Sequence, residues 1–341
     1  MKLSARIEGF AKVGDFLERH YEKRHIASEV RLHEGLEEVI RIAETYNNWF
    51  IPKFVNEAIQ NLRGFLRRSE LEHFSAGLQA SPEKTIALIC AGNIPLVCFH
   101  DVLCVLLSGN KALIKLSADD KILLPFFLKL LGHYEPEFES LIFFADGKIS
   151  NFDAVIATGS DNTASHLHYY FGKYPNIIRK NRSSVAILKG TESAEELKKL
   201  GTDIFQYFGL GCRSVNKLLV PTGYNFNAFF ESIIDWSFVV NNKKYGNNYD
   251  YHRAIFLLEQ IPFLDNNFLM IREQKAFHSP VGVLHYEYYS SPAQVEELLK
   301  TEESQLQCIV GAGHTPFGYS QQPVISDFAD NVNTLEFLLN L

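Results

Sequence analysis

Apolar residues recur at helical spacing at Ile7, Phe10, Val13 and Phe16, and again at Leu32, Leu36, Val39, Ile40 and Ala43. That period predicts helices from residue 1 to about 80. Pro52 follows a turn at 47–50 and precedes a further helix over 55–66. From residue 84 the texture changes to short apolar runs bounded by turn residues, at 86–90, 112–116, 141–144, 154–157 and 185–188. Such runs, alternating with helical stretches, predict βαβ units whose strands are buried on both faces of a parallel sheet. The first four run into polar or glycine turns: Ala91-Gly-Asn93-Ile-Pro95, Ser117-Ala-Asp-Asp120, Ala145-Asp-Gly147 and Thr158-Gly-Ser160. Those turns mark carboxyl ends of strands, where open α/β sheets bind ligands.

An amphipathic helix predicted over 193–207 then leads into Phe208-Gly-Leu-Gly-Cys212-Arg-Ser-Val-Asn, followed by a strand at 218–221. Gly209 and Gly211 free the backbone around Cys212 and leave room for a substrate. Arg213, a cation beside the thiol, favours the nucleophilic thiolate. The same stretch also suits a buried structural cysteine in a glycine turn. Further on, helices are expected over 226–236, 251–259 and 292–299, and strands over 268–271, 282–286 and 306–310, before a tail that ends in a helical run. No internal repeat or low-complexity linker separates these parts.

The 341 residues suffice for two domains, and 46% hydrophobic with 21% charged residues is an ordinary globular composition. A net charge of −7 without a dense Lys/Arg cluster argues against nucleic acid as a partner, Arg179-Lys-Asn-Arg182 being too short a patch. The longest apolar run, 95–107, is interrupted by His100 and Asp101 and falls short of the roughly 20 residues of a membrane span. The N-terminal residues lack the apolar core of a signal peptide, and five sparse cysteines fit a reducing, cytoplasmic setting. Cys90, Cys98 and Cys104 are too widely spaced for a zinc pair and read as core thiols. His20, His25, His33 and His73 lie among charges and read as solvent-facing. His166 and His168, two apart on a helix, point to different faces. No metal site is expected. The remaining histidines His252, His278, His285 and His314 carry no signature of a triad with Cys212. Neither Gly209-Leu-Gly211-Cys-Arg-Ser214 nor Gly311-Ala-Gly313-His-Thr-Pro316 completes a dinucleotide fingerprint.

Four signals nevertheless fall in one order: Asn93-Ile-Pro95, the strand Ser108-Gly-Asn-Lys-Ala-Leu-Ile-Lys115-Leu-Ser117, Thr158-Gly-Ser160, and Gly211-Cys212. That order resembles the aldehyde dehydrogenase superfamily. Within it the chain most resembles the LuxC-like acyl-CoA reductases, typified by the fatty-acyl reductase of bacterial luminescence. The closer likeness rests on Cys90-Ala-Gly-Asn-Ile-Pro95, Ile178-Arg-Lys-Asn-Arg-Ser-Ser-Val-Ala-Ile-Leu188, Phe208-Gly-Leu-Gly-Cys-Arg-Ser-Val-Asn216 and Phe317-Gly-Tyr-Ser-Gln-Gln-Pro-Val-Ile-Ser-Asp-Phe-Ala-Asp330 with Thr334-Leu-Glu-Phe-Leu338. The reading that follows is an α/β fold of two lobes, each with a mostly parallel sheet flanked by helices. Residues 1–185 would hold the N-terminal helices and cofactor lobe, 186–312 the catalytic lobe, and 313–341 a tail packing back across both.

The resemblance implies reduction of an acyl thioester, on CoA or an acyl carrier, to an aldehyde. Cys212 would form an acyl-enzyme, and Asn93 with the Cys212 backbone N–H would donate to the oxyanion. Lys115 and Ser117 would reach the adenosine ribose or its 2′-phosphate, which makes NADPH the expected cofactor. Thr158, Gly159 and Ser160 would meet the diphosphate at a helix N-terminus. Each has a plainer alternative: a turn asparagine, a solvated strand end, a helix cap. Aldehyde-oxidising members carry a general-base glutamate in a Glu-Leu-Gly-Gly run, whereas this chain reads Ala186-Ile-Leu-Lys-Gly190. The missing acid argues against release of a free acid, and also fits an inactive copy. Two alternatives stay open: another thioester- or semialdehyde-active dehydrogenase, and a silent acyl-binding or scaffold subunit. The family's luminescence members work alongside enzymes that hand over the acyl group, so the resemblance implies a possible acyl-transferring partner enzyme, beside a possible homo-oligomer. Acyl chain length is not readable.

Overall fold

The computed structural model describes residues 1–79, 82–159, 161–311 and 313–341. The chain divides into two compact units, Met1–Lys180 with Val324–Leu341, and Asn181–Pro323.

The first unit opens with α1 (Leu3–Tyr21), α2 (Val30–Tyr46), α3 (Pro52–Phe65) and α4 (Arg68–Phe74). Pro52 takes the first position of α3, where its missing N–H would have had no helical partner. The alternation that follows runs β1 (Thr85–Ile89), α5 (Phe99–Leu107), β2 (Lys111–Lys115), α6 (Leu123–Tyr134), β3 (Ile142–Phe144), β4 (Ala154–Thr158), α7 (Asp161–Phe171) and β5 (Asn176–Arg179). The strands form one parallel sheet in the order β3-β2-β1-β4-β5. Phe10 of α1 is fully buried against the rings of Phe99 and Phe138, and the C-terminal helix Thr334–Leu339 adds Leu335 and Leu338 to the same core. The thiol contact with Cys90, and then burial, push the Cys98 thiol well above its usual range, and burial does the same to Cys104. Both are core thiols as expected, while Cys90 is half-buried.

The expectation for the histidines needs correction. His25 and His73 are exposed, but His20 and His33 are buried, at 7% and 3% exposure. His20 stands four residues after Phe16 and His33 three before Leu36, so each continues the apolar face of its helix despite charged neighbours.

The second unit contains β6 (Ser183–Ile187), α8 (Ala194–Phe205), β7 (Val215–Pro221), α9 (Asn227–Ser232), α10 (Lys243–Leu258), β8 (Leu264–Asp265), β9 (Met270–Glu273), β10 (Val283–Tyr289), α11 (Pro292–Thr301) and β11 (Leu306–Gly311). Its sheet runs β11-β6-β7-β10-β9-β8, parallel throughout except for the short β8–β9 pair. Ser193 and Glu196 start α8 with a reciprocal capping box. Strand β7 begins three residues before its expected start because it carries a buried lysine. Lys217 is fully enclosed, donating to Glu287 Oε2 at 2.5 Å and to the Lys275 carbonyl at 2.6 Å, with Phe277 beneath its ammonium. A charge is tolerated there only because it is paired and hydrogen-bonded. Where one helix was expected over 226–236, α9 stops at Ser232 and a 3-10 segment, Ile234–Asn241, follows. Among the described residues no helix is long and apolar enough to cross a membrane.

Candidate active site

Strands β2, β1 and β4 are neighbours, so the turns that follow them share one edge of the first unit's sheet. The chain leaves β1 for β2 and β3 on one side, then returns to place β4 on the other. The β1/β4 boundary is therefore the topological switch point, where open sheets form a binding crevice at the carboxyl ends of the strands. Asn93 lies exposed in the turn after β1. Its neighbour Gly92 is held by the buried Asn47, whose amide donates to the Gly92 carbonyl at 3.0 Å. A Cβ on Gly92 would stand 2.6 Å from Ser117 Oγ and 2.8 Å from Asp119 Cβ, so glycine is what lets the first two turns meet. The sheet thus brings the Asn93 turn and Ser117 together.

At the end of β2, Lys115 Nζ donates to the Gly147 carbonyl at 2.8 Å, and Ser117 Oγ accepts the Asp119 N–H at 3.2 Å. The two acids of this turn diverge. Asp119 is exposed, whereas Asp120 is buried and accepts the Leu123 N–H at 3.2 Å as α6 begins. Burial pushes the Asp120 carboxyl up to about 6, against the opposing pull of backbone N–H donors. Between about pH 4 and 6 the folded chain keeps a proton that the unfolded chain releases, so this group makes stability fall as pH rises through that window. Asp120→Asn keeps an acceptor oxygen and removes the charge. Denaturant melts across that range should show the variant at least as stable as wild type near pH 7, with a difference on the order of 2 kcal/mol, and without this part of the pH dependence. A variant less stable than wild type near pH 7 would count against this reading.

On the other side of β1, Thr158 ends β4 and pairs with Arg179 of β5, whose carbonyl accepts the Gly159 N–H at 3.4 Å. The Arg179 side chain is buried. It donates to both oxygens of Asp101 on α5, at 2.5 and 2.8 Å, and to Thr334 Oγ1 at 3.2 Å. The turn after β4 is thus tied to α5 and to the C-terminal helix through one residue, by its carbonyl on one side and its guanidinium on the other. Ser160 lies outside the described residues.

Cys212 belongs to the second unit. Helix α8 ends at Phe205, and Tyr207, Phe208 and Gly209 then take left-handed backbone angles in succession, with φ of 55°, 57° and 75°. Left-handed non-glycine residues cost of order 1–3 kcal/mol each. Burial compensates: both aromatic side chains are enclosed, and the Phe208 ring packs 6.0 Å from Tyr245. The reversal delivers the chain to Gly211 and to the half-buried Cys212. Ser184 on β6, fully buried, donates from its hydroxyl to the Cys212 carbonyl at 2.9 Å. Ser214 closes the turn by donating to the Gly211 carbonyl at 3.0 Å, and its hydroxyl accepts from the Gln321 amide at 3.1 Å. The segment carrying Gln321 is itself fixed on α8. Asp203, with no exposed surface, accepts the N–H groups of Gly318 at 2.6 Å and Ser320 at 2.9 Å.

The motif residues around 317–321 and 178–184 therefore act as supports, a role that sequence reading did not assign them. Asp203 and Ser184 were missed as supports. A carboxylate at a buried position of an amphipathic helix is the signal that could have flagged Asp203. Beyond β6, at Ala186-Ile-Leu-Lys-Gly190, the nearest following acid is Glu192. Its two oxygens accept the N–H groups of Lys189 and Gly190 at 2.5 and 3.0 Å. A cleft of about 520 Å³ opens nearby, lined among others by Glu192, Lys199 and His314, and Cys212 is not among its lining residues.

Three solved structures of similar fold illustrate the likeness. Proline utilization A from Corynebacterium freiburgense shares 14% identity over 91% of this chain and 37% of that one, with a TM-score of 0.59. An oxidoreductase from Marinobacter aquaeolei shares 13% identity over 91% and 73%, with a TM-score of 0.63. The NAD⁺ complex of aldehyde dehydrogenase from Bacillus cereus shares 14% identity over 91% and 72%, with a TM-score of 0.59. This chain spans little more than a third of the proline utilization protein and about three quarters of the other two. At such identity the likeness establishes an aldehyde dehydrogenase-like fold. A search of curated proteins finds no match. Residues 1–233 match the acyl-CoA reductase (LuxC) family, and with two thirds of its length so matched the chain belongs to that family.

Proposed function

We propose that this chain reduces an acyl thioester to an aldehyde through an acyl-cysteine on Cys212, with NADPH as the reductant. The observation that carries the reading is the Cys212 turn, a glycine-flanked reversal fixed by consecutive left-handed residues before the cysteine, the Ser184 hydroxyl on the Cys212 carbonyl and the Gln321–Ser214 contact after it. Preorganisation of that kind suits a nucleophile, since strained backbone gathers where chemistry requires a fixed geometry. The Cys212 thiolate attacks the thioester carbon, the carbonyl electrons move to oxygen, and the carrier thiolate departs as the carbonyl re-forms. Asn93 is the side-chain donor to the oxyanion, as the family likeness implies. When bound, the reduced nicotinamide supplies the hydride. Collapse of the resulting thiohemiacetal returns the thiolate and releases the aldehyde.

The first unit's sheet edge suits a dinucleotide. Lys115 and Ser117 offer donors beside the switch point, and the inward turn of Asp120 removes one carboxylate from that edge. Thr158 and Gly159 flank the crevice on its other side. A compact ammonium recognises phosphate as a point charge, so Lys115→Ala should raise KM for NADPH several-fold more than KM for NADH. Equal losses, or a wild-type preference for NADH, would contradict the NADPH reading. Glu192 supports reduction over oxidation, because its carboxylate is engaged by two backbone donors. Thioester with NADPH should yield aldehyde, whereas aldehyde with NADP⁺ and no thiol acceptor should yield little acid. Rapid acid formation would place the chain with aldehyde oxidisers.

A further inference from the structure

Away from these residues, the connection between α1 and α2 gathers three histidines. His20 lies in the last turn of α1, His25 in the connection itself, and His33 in the first turn of α2. Nδ1 of His20 and Nδ1 of His33 are 3.1 Å apart. His25 stacks on His33 with ring centroids 3.9 Å apart, and one ring nitrogen from each histidine lies within 4.8 Å of the others. The opposite nitrogens of the buried pair face carboxylates. His20 Nε2 is 3.4 Å from Glu37, and His33 Nε2 is 3.8 Å from Glu29. Glu29 is itself fixed by Arg19, at 2.6 and 2.8 Å, and by the Tyr134 hydroxyl. His33 Nε2 is enclosed and has no hydrogen-bond partner.

The arrangement is unsatisfied without a further group. A carboxylate opposite Nε2 favours the ring hydrogen on that nitrogen, by a contact at 3.4 Å for His20 and by the charge of Glu29, 3.8 Å away and not hydrogen-bonded, for His33. With both hydrogens so placed, two Nδ1 lone pairs point at one another across 3.1 Å. Moving one hydrogen to Nδ1 instead leaves a bare Nε2 facing a carboxylate. A cation held by both Nδ1 atoms resolves the conflict and leaves each Nε2–H directed at its acid, the supporting pattern typical of histidine metal ligands. Zinc–nitrogen bonds of about 2.0–2.1 Å at a tetrahedral angle separate two ligand atoms by about 3.3 Å, close to the spacing found.

We propose that His20, His25 and His33 bind a divalent transition-metal ion of the zinc class, with water as the fourth ligand. Imidazole donors suit zinc, copper and nickel better than magnesium or calcium. The exposed His25 gives the ion a path in, and the bound ion would staple the end of α1 to the start of α2. The site is independent of the proposed reduction.

The test uses the untagged full chain, stripped of metal. Stoichiometric Co²⁺ should produce visible d–d bands that Zn²⁺ displaces, and Zn²⁺ should raise Tm. His25→Ala removes an exposed ligand, so the variant should fold as wild type while affinity falls by at least the 10–100-fold that losing a supporting group costs. His73→Ala, an exposed histidine elsewhere, should bind as wild type. Absence of bands at stoichiometric Co²⁺, or equal binding by wild type and His25→Ala, would overturn the proposal.

Discussion

Cys212→Ser is expected to abolish acyl-enzyme formation and to lower thioester reduction by roughly three orders of magnitude or more, the scale on which loss of a nucleophile acts. The substitution exchanges one small atom and leaves the turn intact, because Ser184 and the Gln321–Ser214 pair hold backbone and Ser214 and do not hold the sulfur. A hydroxyl has no anionic form near neutral pH without a strong base beside it, whereas a thiol does. Tm should therefore change little while turnover collapses. Serine at the half-buried Cys90 should leave the chemistry in place, and at the buried Cys98, Cys104 and Cys308 should affect stability before activity. Retained turnover in Cys212→Ser would remove the nucleophile assignment.

The second large effect concerns Arg179 and Asp101. Their side chains are buried, at 4% and 8% exposure, and joined by two charge-assisted hydrogen bonds. Burial works to lower the Arg179 pKa, but the Asp101 carboxylate outweighs it and holds the guanidinium above its usual value. Arg179→Met leaves Asp101 enclosed without its cation, which costs about 3–5 kcal/mol and should lower Tm by about 10 °C. Arg179→Met combined with Asp101→Leu should recover most of that loss, because no unpaired charge then remains. Since the Arg179 carbonyl holds the Gly159 N–H, weaker cofactor binding should accompany the single variant. Thermal melts of both variants decide it. A single variant within about 1 kcal/mol of wild type would mean that water reaches Asp101 and the pair is not the support described here.

Much of this was legible in the sequence where one physical requirement dominated. Strands β1 and β4 are buried on both faces, so their apolar runs stood out. Strand β2, though alternately buried and half-buried, keeps the run Ala112-Leu-Ile114, and the turns that end all three stood out as well. Strand β5 was missed because it is an edge strand, alternately buried and half-buried, with Asn176 and Arg179 at its ends. The start of β7 was hidden by Lys217, whose burial depends on Glu287, seventy residues away. The glycines around Cys212 announced a turn, but nothing in Tyr207-Phe208 signals left-handed backbone, which is imposed by the packing of the two rings. His20 and His33 carried the helical period of their neighbours, and only the surrounding charges disguised it. The link from Asp203 to Gly318 and Ser320 joins residues more than a hundred positions apart and could not be read from spacing.

The most direct measurement is mass spectrometry of the wild-type chain incubated with a panel of acyl-CoAs in the absence of reductant, followed by addition of NADPH. The account predicts a mass increase of one acyl group, located on the peptide bearing Cys212 and discharged as aldehyde when NADPH is added. No adduct with any chain length, or an adduct on a different cysteine, would contradict it.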